Sequence, residues 1–164
     1  PLVVMTANSI IRDLNDILKV QLTAINQFFV HSKIQKKNGW PTIAMRYARL
    51  GIQGGKTADK LLELLVDLNE LPQIKDYDLL KSHRDIQKQL ALDTALMLSM
   101  VSNLHKCIKK CKEQSEKEIE AILKDILVDA EKQVDFLESQ LSILDSVGLE
   151  VYTSGLNSPM PHSN

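Results

Sequence analysis

Two stretches of this chain carry residue types that could do chemistry. The first, Leu50-Gly51-Ile52-Gln53-Gly54-Gly55-Lys56-Thr57, ends like a phosphate-cradling loop. Such a loop needs four residues between its first Gly and the Gly-Lys-Thr, and it follows a buried strand and opens a helix. Gly51 leaves only three before Gly55, and helical apolar spacing runs through both flanks, Ile43 to Leu50 and Ala58 to Leu65. The glycines are therefore read as lying inside a helix, not in a nucleotide loop. The second stretch holds His105, Cys107 and Cys111 among Lys106, Lys109, Lys110 and Lys112. Cysteines at i, i+4 share a helix face, and nearby cations lower a thiol's pKa. That pattern suits a peroxide-reactive or redox-sensing pair; the plainer alternative is that one or both thiols are core. Two Cys and one His at this spacing make a weak zinc signal. His105 falls on a different face.

The elements that must position these residues are helices. Asn8 or Ser9 suits the cap of a first helix reaching about residue 35, with Ile10, Leu14, Ile17/Leu18, Gln21, Ile25 and Phe28 inward. Lys36-Lys37-Asn38-Gly39 ends it. Pro41, after Trp40 as a staple over the loop, starts a second helix with Ile43, Tyr47, Leu50, Gly54, Thr57, Leu61 and Leu64 inward. Asn69 to Leu80, with Leu71-Pro72, reads as a long connection. A third helix is expected over about 81–113, with Ile86, Leu90, Met97, Val101, Leu104 and Ile108 inward. Ser115 and Glu118 resemble a capping box for a fourth, carrying Ile119, Leu123, Ile126, Ala130, Gln133, Leu137 and Leu144, which Gly148 ends. Four long amphipathic helices with one long middle connection define an all-α, ferritin-like four-helix bundle with a crossover between the second and third helices. The bundle is expected over residues 1–150, and the polar, Pro/Gly/Ser-rich stretch 151–164 is expected to be flexible or to lie along the surface.

Composition narrows the function classes. A net charge of −1 argues against a dedicated nucleic-acid binder. No apolar run approaches a membrane span of about 20 residues, and Pro1-Leu-Val-Val-Met5 lacks the basic region of a signal peptide. With two cysteines and no disulfide framework, the expected compartment is the reducing cytoplasm. The Lys-rich end of the third helix meets Glu113, Glu116, Glu118 and Glu120, so a solvated mixed-charge face is expected there.

Leu18-Lys-Val-Gln-Leu-Thr-Ala-Ile-Asn-Gln-Phe-Phe-Val-His-Ser32 resembles the first helix of bacterioferritins, above all in Ala-Ile-Asn-Gln, two aromatics and His31. Lys56-Thr-Ala-Asp-Lys60, Leu71-Pro72, Leu90-Ala-Leu92 and Asp135-Phe-Leu-Glu138 resemble further segments in the same order, covering roughly residues 8–150. The resemblance implies a dinuclear iron site inside the bundle, one Glu from each of two helices and a Glu-x-x-His pair from each of the other two. At the matching positions stand Gln21, Gly54, Thr57, Met97, Ala130 and Gln133, and the family's haem-ligating Met matches Gly55. Phe28 stands where the family usually has a tyrosine. The resemblance therefore implies a relative without ferroxidase or haem ligands, and no cofactor is expected.

Such replacements suit a metal-free core, with Met97 filling space left by Gly54 and Ala130, and Gln21, Gln133 and Thr57 exchanging hydrogen bonds. A small-molecule pocket is the alternative. Gly51, Gly54 and Gly55 weaken a helix by about 1 kcal/mol each relative to Ala; close helix contact is the expected reason, a kink opening a groove the alternative. His31, near its helix end, fits capping or packing. The expected partners are a second copy in a homodimer, a larger ferritin-like assembly or a hetero-assembly, with no nucleic acid and no membrane. The family's short fifth helix would fall near Tyr152–Asn164, where Gly155 and two prolines disfavour it. Two roles follow: a degenerate, non-ferroxidase protein of oxidative-stress or peroxide resistance, or a structural partner subunit or helical adaptor.

Overall fold

A computed structural model describes residues 6–74 and 81–157. The expectations for Pro1–Met5 and for the chain beyond 157 lie outside the described residues. Five helices follow in order: α1 (Asn8–Lys37), α2 (Pro41–Asp67), α3 (Ile86–Glu113), α4 (Lys117–Val147) and α5 (Leu149–Leu156). At 1.5 Å per residue the four long ones run roughly 40–45 Å.

Hydrogen bonds between distant residues trace the topology. After a tight turn through Gly39 (φ +81°), α2 runs back along α1. The connection then starts beside the beginning of α1, where Gln73 N–H donates to Asn15 Oδ1 (2.7 Å). It arrives near the far end, where Lys81 N–H meets Gln27 Oε1 (3.2 Å) and His83 N–H meets His31 Nε2 (3.1 Å). Its two described ends lie against opposite halves of α1, so α3 runs antiparallel to α1, with Lys110 paired to Asp13 at the opposite end (2.7 Å). This is the expected crossover. Apolar side chains run the length of the core, from Ile10, Leu14 and Leu18 through Leu61, Leu90 and Met100 to Leu123 and Leu137, interrupted by buried polar groups described below.

Several local expectations are corrected. The cap of α1 is Ala7, without a side-chain bond, so neither Asn8 nor Ser9 caps it. Ser115 takes φ +57° in the turn and Glu116 precedes α4 without a side-chain cap, so no capping box forms. The third helix begins at Ile86, not 81, because Asp85 Oδ1 accepts from Lys88 N–H (3.1 Å) and closes its first turn. In the stretch 151–164, expected to be flexible or to lie along the surface, residues 151–156 belong to α5. Gly148 (φ +82°) turns the chain, after which Tyr152 and Leu156, at i, i+4, bury themselves. Tyr152 Oη donates to Gln140 Oε1 (2.7 Å). Gly155 stands in open space, and the prolines at 159 and 161 follow the helix.

Candidate functional site: the bundle centre and its buried polar neighbours

The apolar stripes carry the six candidate positions to the middle of the bundle. Gln21 of α1 is 2% exposed, Thr57 of α2 4%, Met97 of α3 1%, and Ala130 and Gln133 of α4 4% and 6%. Gly54 is buried as well. The donors gathered here are two amides, a hydroxyl and a thioether, all neutral. Among the described residues no group of three or more His, Cys, Asp or Glu is placed to hold a metal ion.

The expected exchange of hydrogen bonds at this centre does not occur. Gln21 Nε2 and Gln133 Oε1 are each buried without a partner. The reason lies at Gly54: a Cβ there would stand 2.7 Å from Gln21 Nε2 and 2.8 Å from Ile25 Cγ1. The Gln21 amide thus occupies the volume of a side chain at 54, and Ile25 rather than Met97 closes the remainder. Gly51 is equally tight, its absent Cβ 2.8 Å from the Phe29 ring. Close contact between α1 and α2 explains both glycines, and α2 continues through them as one helix. Gly55 differs, being exposed with nothing within 4 Å of a Cβ.

The two neighbours should respond oppositely to alanine. Gly55→Ala is expected to stabilise the fold by about 0.5–1 kcal/mol through helix propensity. Gly54→Ala should destabilise it by roughly 1–3 kcal/mol through overpacking. Chemical denaturation at matched protein concentration reads both; equal effects would show that the Gln21–Gly54 contact is not tight.

Of the two readings of the thiols, the geometry favours the core one. Cys107 and Cys111 are both fully buried free cysteines on the core face of α3. Burial pushes the Cys107 thiol well up, with the neighbouring Cys111 and Asp13 adding to it and Lys110 only partly opposing. Burial also raises Cys111, helped by Glu116 and Glu120, against a lowering contact from Cys107. Lys106, Lys109 and Lys112 are exposed, and Lys110 is engaged by Asp13, so the lysines do not activate the thiols. His105 is not brought to them; it lies at the surface, 3.6 Å from Glu131. Labelling by an aromatic disulfide reagent should be at least about a hundredfold slower in native protein than in denaturant, since it must await opening of the core. Comparable rates would put the thiols at the surface.

A second polar cluster escaped the sequence reading. Asp93 of α3 is fully buried and accepts from Gln27 Nε2 (2.8 Å) and His31 Nδ1 (2.5 Å). Since His31 Nε2 accepts from His83 N–H, the proton of a neutral His31 sits on Nδ1 and points at Asp93. Gln89 accepts from Gln35 (2.9 Å) and donates to His83 O (2.7 Å). Tyr47 packs edge-on against Phe28 (ring centroids 5.8 Å apart) and near His31 (6.2 Å). Burial and the Asp93 charge push its phenol well up. His31 therefore packs and hydrogen-bonds inside the bundle and caps nothing. The available signal was a polar stripe at helical spacing, Gln27, His31 and Gln35 facing Gln89 and Asp93.

This bundle and its crossover define a class. A sequence-family model for the ferritin-like domain matches residues 11–147. A bacterioferritin of Mycobacterium avium is 30% identical over 145 residues, covering 88% of this chain and 91% of that protein. A bacterioferritin of Mycobacterium leprae is also 30% identical over 145 residues, with the same coverage of both chains. One of Streptomyces coelicolor is 26% identical, over 88% of this chain and 87% of its own. The chain belongs to the bacterioferritins of the ferritin-like superfamily. Among the described residues no helix is long and apolar enough to cross a membrane.

Proposed function

We propose that this chain is a bacterioferritin-like bundle whose centre does not oxidise iron, and that it acts as a structural subunit. One observation carries the reading: the positions matching the family's iron ligands are buried yet carry only neutral side chains, and Gln21 fills the space at Gly54. Two ferrous ions bring four positive charges, which two amides, a hydroxyl and a thioether do not offset. The residues present therefore do not fit a dinuclear iron centre. Gly55 likewise offers no haem ligand.

Of the two roles, the structural one has the better support. A peroxide-resistance role carried by Cys107 and Cys111 would need an accessible thiolate, whereas both are buried with raised pKa values. Phe29 of α1 and Ile52, Leu62 and Val66 of α2 stay exposed, which suits a homodimer or pairing with an iron-competent ferritin subunit. A reducing, cytoplasmic setting goes with the free thiols. In air-saturated buffer, Fe(II) is expected to oxidise at the protein-free rate when this chain is added. A clear acceleration that survives removal of contaminating metal would refute the reading.

A further inference from the structure

Beyond the bundle centre, and independently of the reading given for it, one surface carries charge without counter-charge. Lys33, Ile34 and Lys37 at the end of α1 and Ser82, His83 and Arg84 before α3 line a cleft of about 570 Å³. Three of these six residues are cations, none is acidic, and the whole chain has a net charge of −1. No ion pair engages Lys33, Lys37 or Arg84 among the described residues. The nearest acid in sequence, Asp85, is turned to the Lys88 N–H as the cap of α3.

The wall formed by residues 82–84 is not a loose loop. Its backbone is tied to the buried network from three sides: Lys81 N–H to Gln27, His83 N–H to His31, and His83 O to the Gln89 amide. His83 Nδ1 also accepts from Asp85 N–H (3.0 Å), which fixes its ring and leaves Nε2 as the protonated nitrogen of the neutral imidazole. Four buried side chains, Gln27, His31, Gln89 and Asp93, hold a short non-helical segment at the mouth of a basic cleft. Such pre-ordering lowers the cost of binding. The lining residues carry donors and no carboxylate: two ammonium groups, a guanidinium, a hydroxyl and an imidazole N–H, the types of group that recognise a tetrahedral oxyanion. Ile34 and the lysine stems give the cleft an apolar side.

From this placement we infer that the Lys33–Lys37–Arg84 cleft is a binding site for a small phosphate-class anion. Screening makes the attraction salt-dependent, so binding weakens as sodium chloride rises past about 0.1 M. The test is an amide NMR titration of the full chain with inorganic phosphate and then pyrophosphate at low salt. Saturable shifts are expected at Ser82, His83 and Arg84, pyrophosphate binding the tighter. The variant Lys33→Gln/Lys37→Gln/Arg84→Gln should bind at least about tenfold more weakly with the rest of its spectrum unchanged. A control at Lys106→Gln/Lys109→Gln/Lys112→Gln should bind as the parent does. Non-saturating shifts spread over all surface lysines, or equal losses in both variants, would overturn the assignment. So would a 20-base-pair DNA duplex that binds through the same residues while pyrophosphate does not, which would make the patch a nucleic-acid surface.

Discussion

Replacing Asp93 by Leu is expected to cost about 3–5 kcal/mol of stability, because it leaves two buried hydrogen-bond donors without their acceptor. Asp93 is fully buried and receives hydrogen bonds from both Gln27 and His31. Leucine has the same branched skeleton with bulkier methyl ends, so none of the loss would come from a cavity, though some could come from crowding. Two donors would instead be stranded in an apolar interior, each unmet group costing about 1–3 kcal/mol. The damage should also spread, because Gln27 and His31 hold the backbone at Lys81 and His83. For a chain of this size the thermal midpoint should fall by roughly 10 °C. Asp93→Asn keeps one acceptor oxygen and should lose about half as much. A loss under about 1 kcal/mol for Asp93→Leu would mean that the network does not anchor α1 to α3.

The second prediction concerns iron, and follows from what occupies the bundle centre. A single carboxylate returned at Gln21→Glu is not expected to create a ferroxidase. Five other positions, Gly54, Thr57, Met97, Ala130 and Gln133, would still present no charge. Nor is Gly54→Glu a simple repair while Gln21 is present, since the first carbon of the new side chain meets the Gln21 amide at 2.7 Å. The two positions are coupled, so a useful site would need both changed together, with ligands on the other helices as well. Each single variant should leave Fe(II) oxidation at the protein-free rate. A large rise in Gln21→Glu alone would show that the centre is closer to an iron site than its residues indicate.

The helices were legible because each carries a long apolar stripe, and because Pro41 and Gly148 mark a start and a stop that local chemistry enforces. The crossover followed from the length of the middle connection, and the quoted segments pointed to the family. What remained hidden was decided by distant contacts. Nothing in Lys81-Ser-His-Arg-Asp85 says that its backbone will bond to Gln27, His31 and Gln89 instead of winding into a helix. Helix α5 was missed because Gly155 argued against it locally, whereas burial of Tyr152 and Leu156 favours it. The lysines around Cys107 and Cys111 were misleading for a related reason. Neighbours in sequence point to other faces of a helix, and burial, not the nearest charge, sets the state of those thiols.

The central claim, that the bundle centre is not an iron site, is tested most directly by anaerobic calorimetric titration of the metal-free full chain with Fe(II). No tight site is expected, only weak heat spread over surface carboxylates. Two tight ferrous ions per chain would contradict the account.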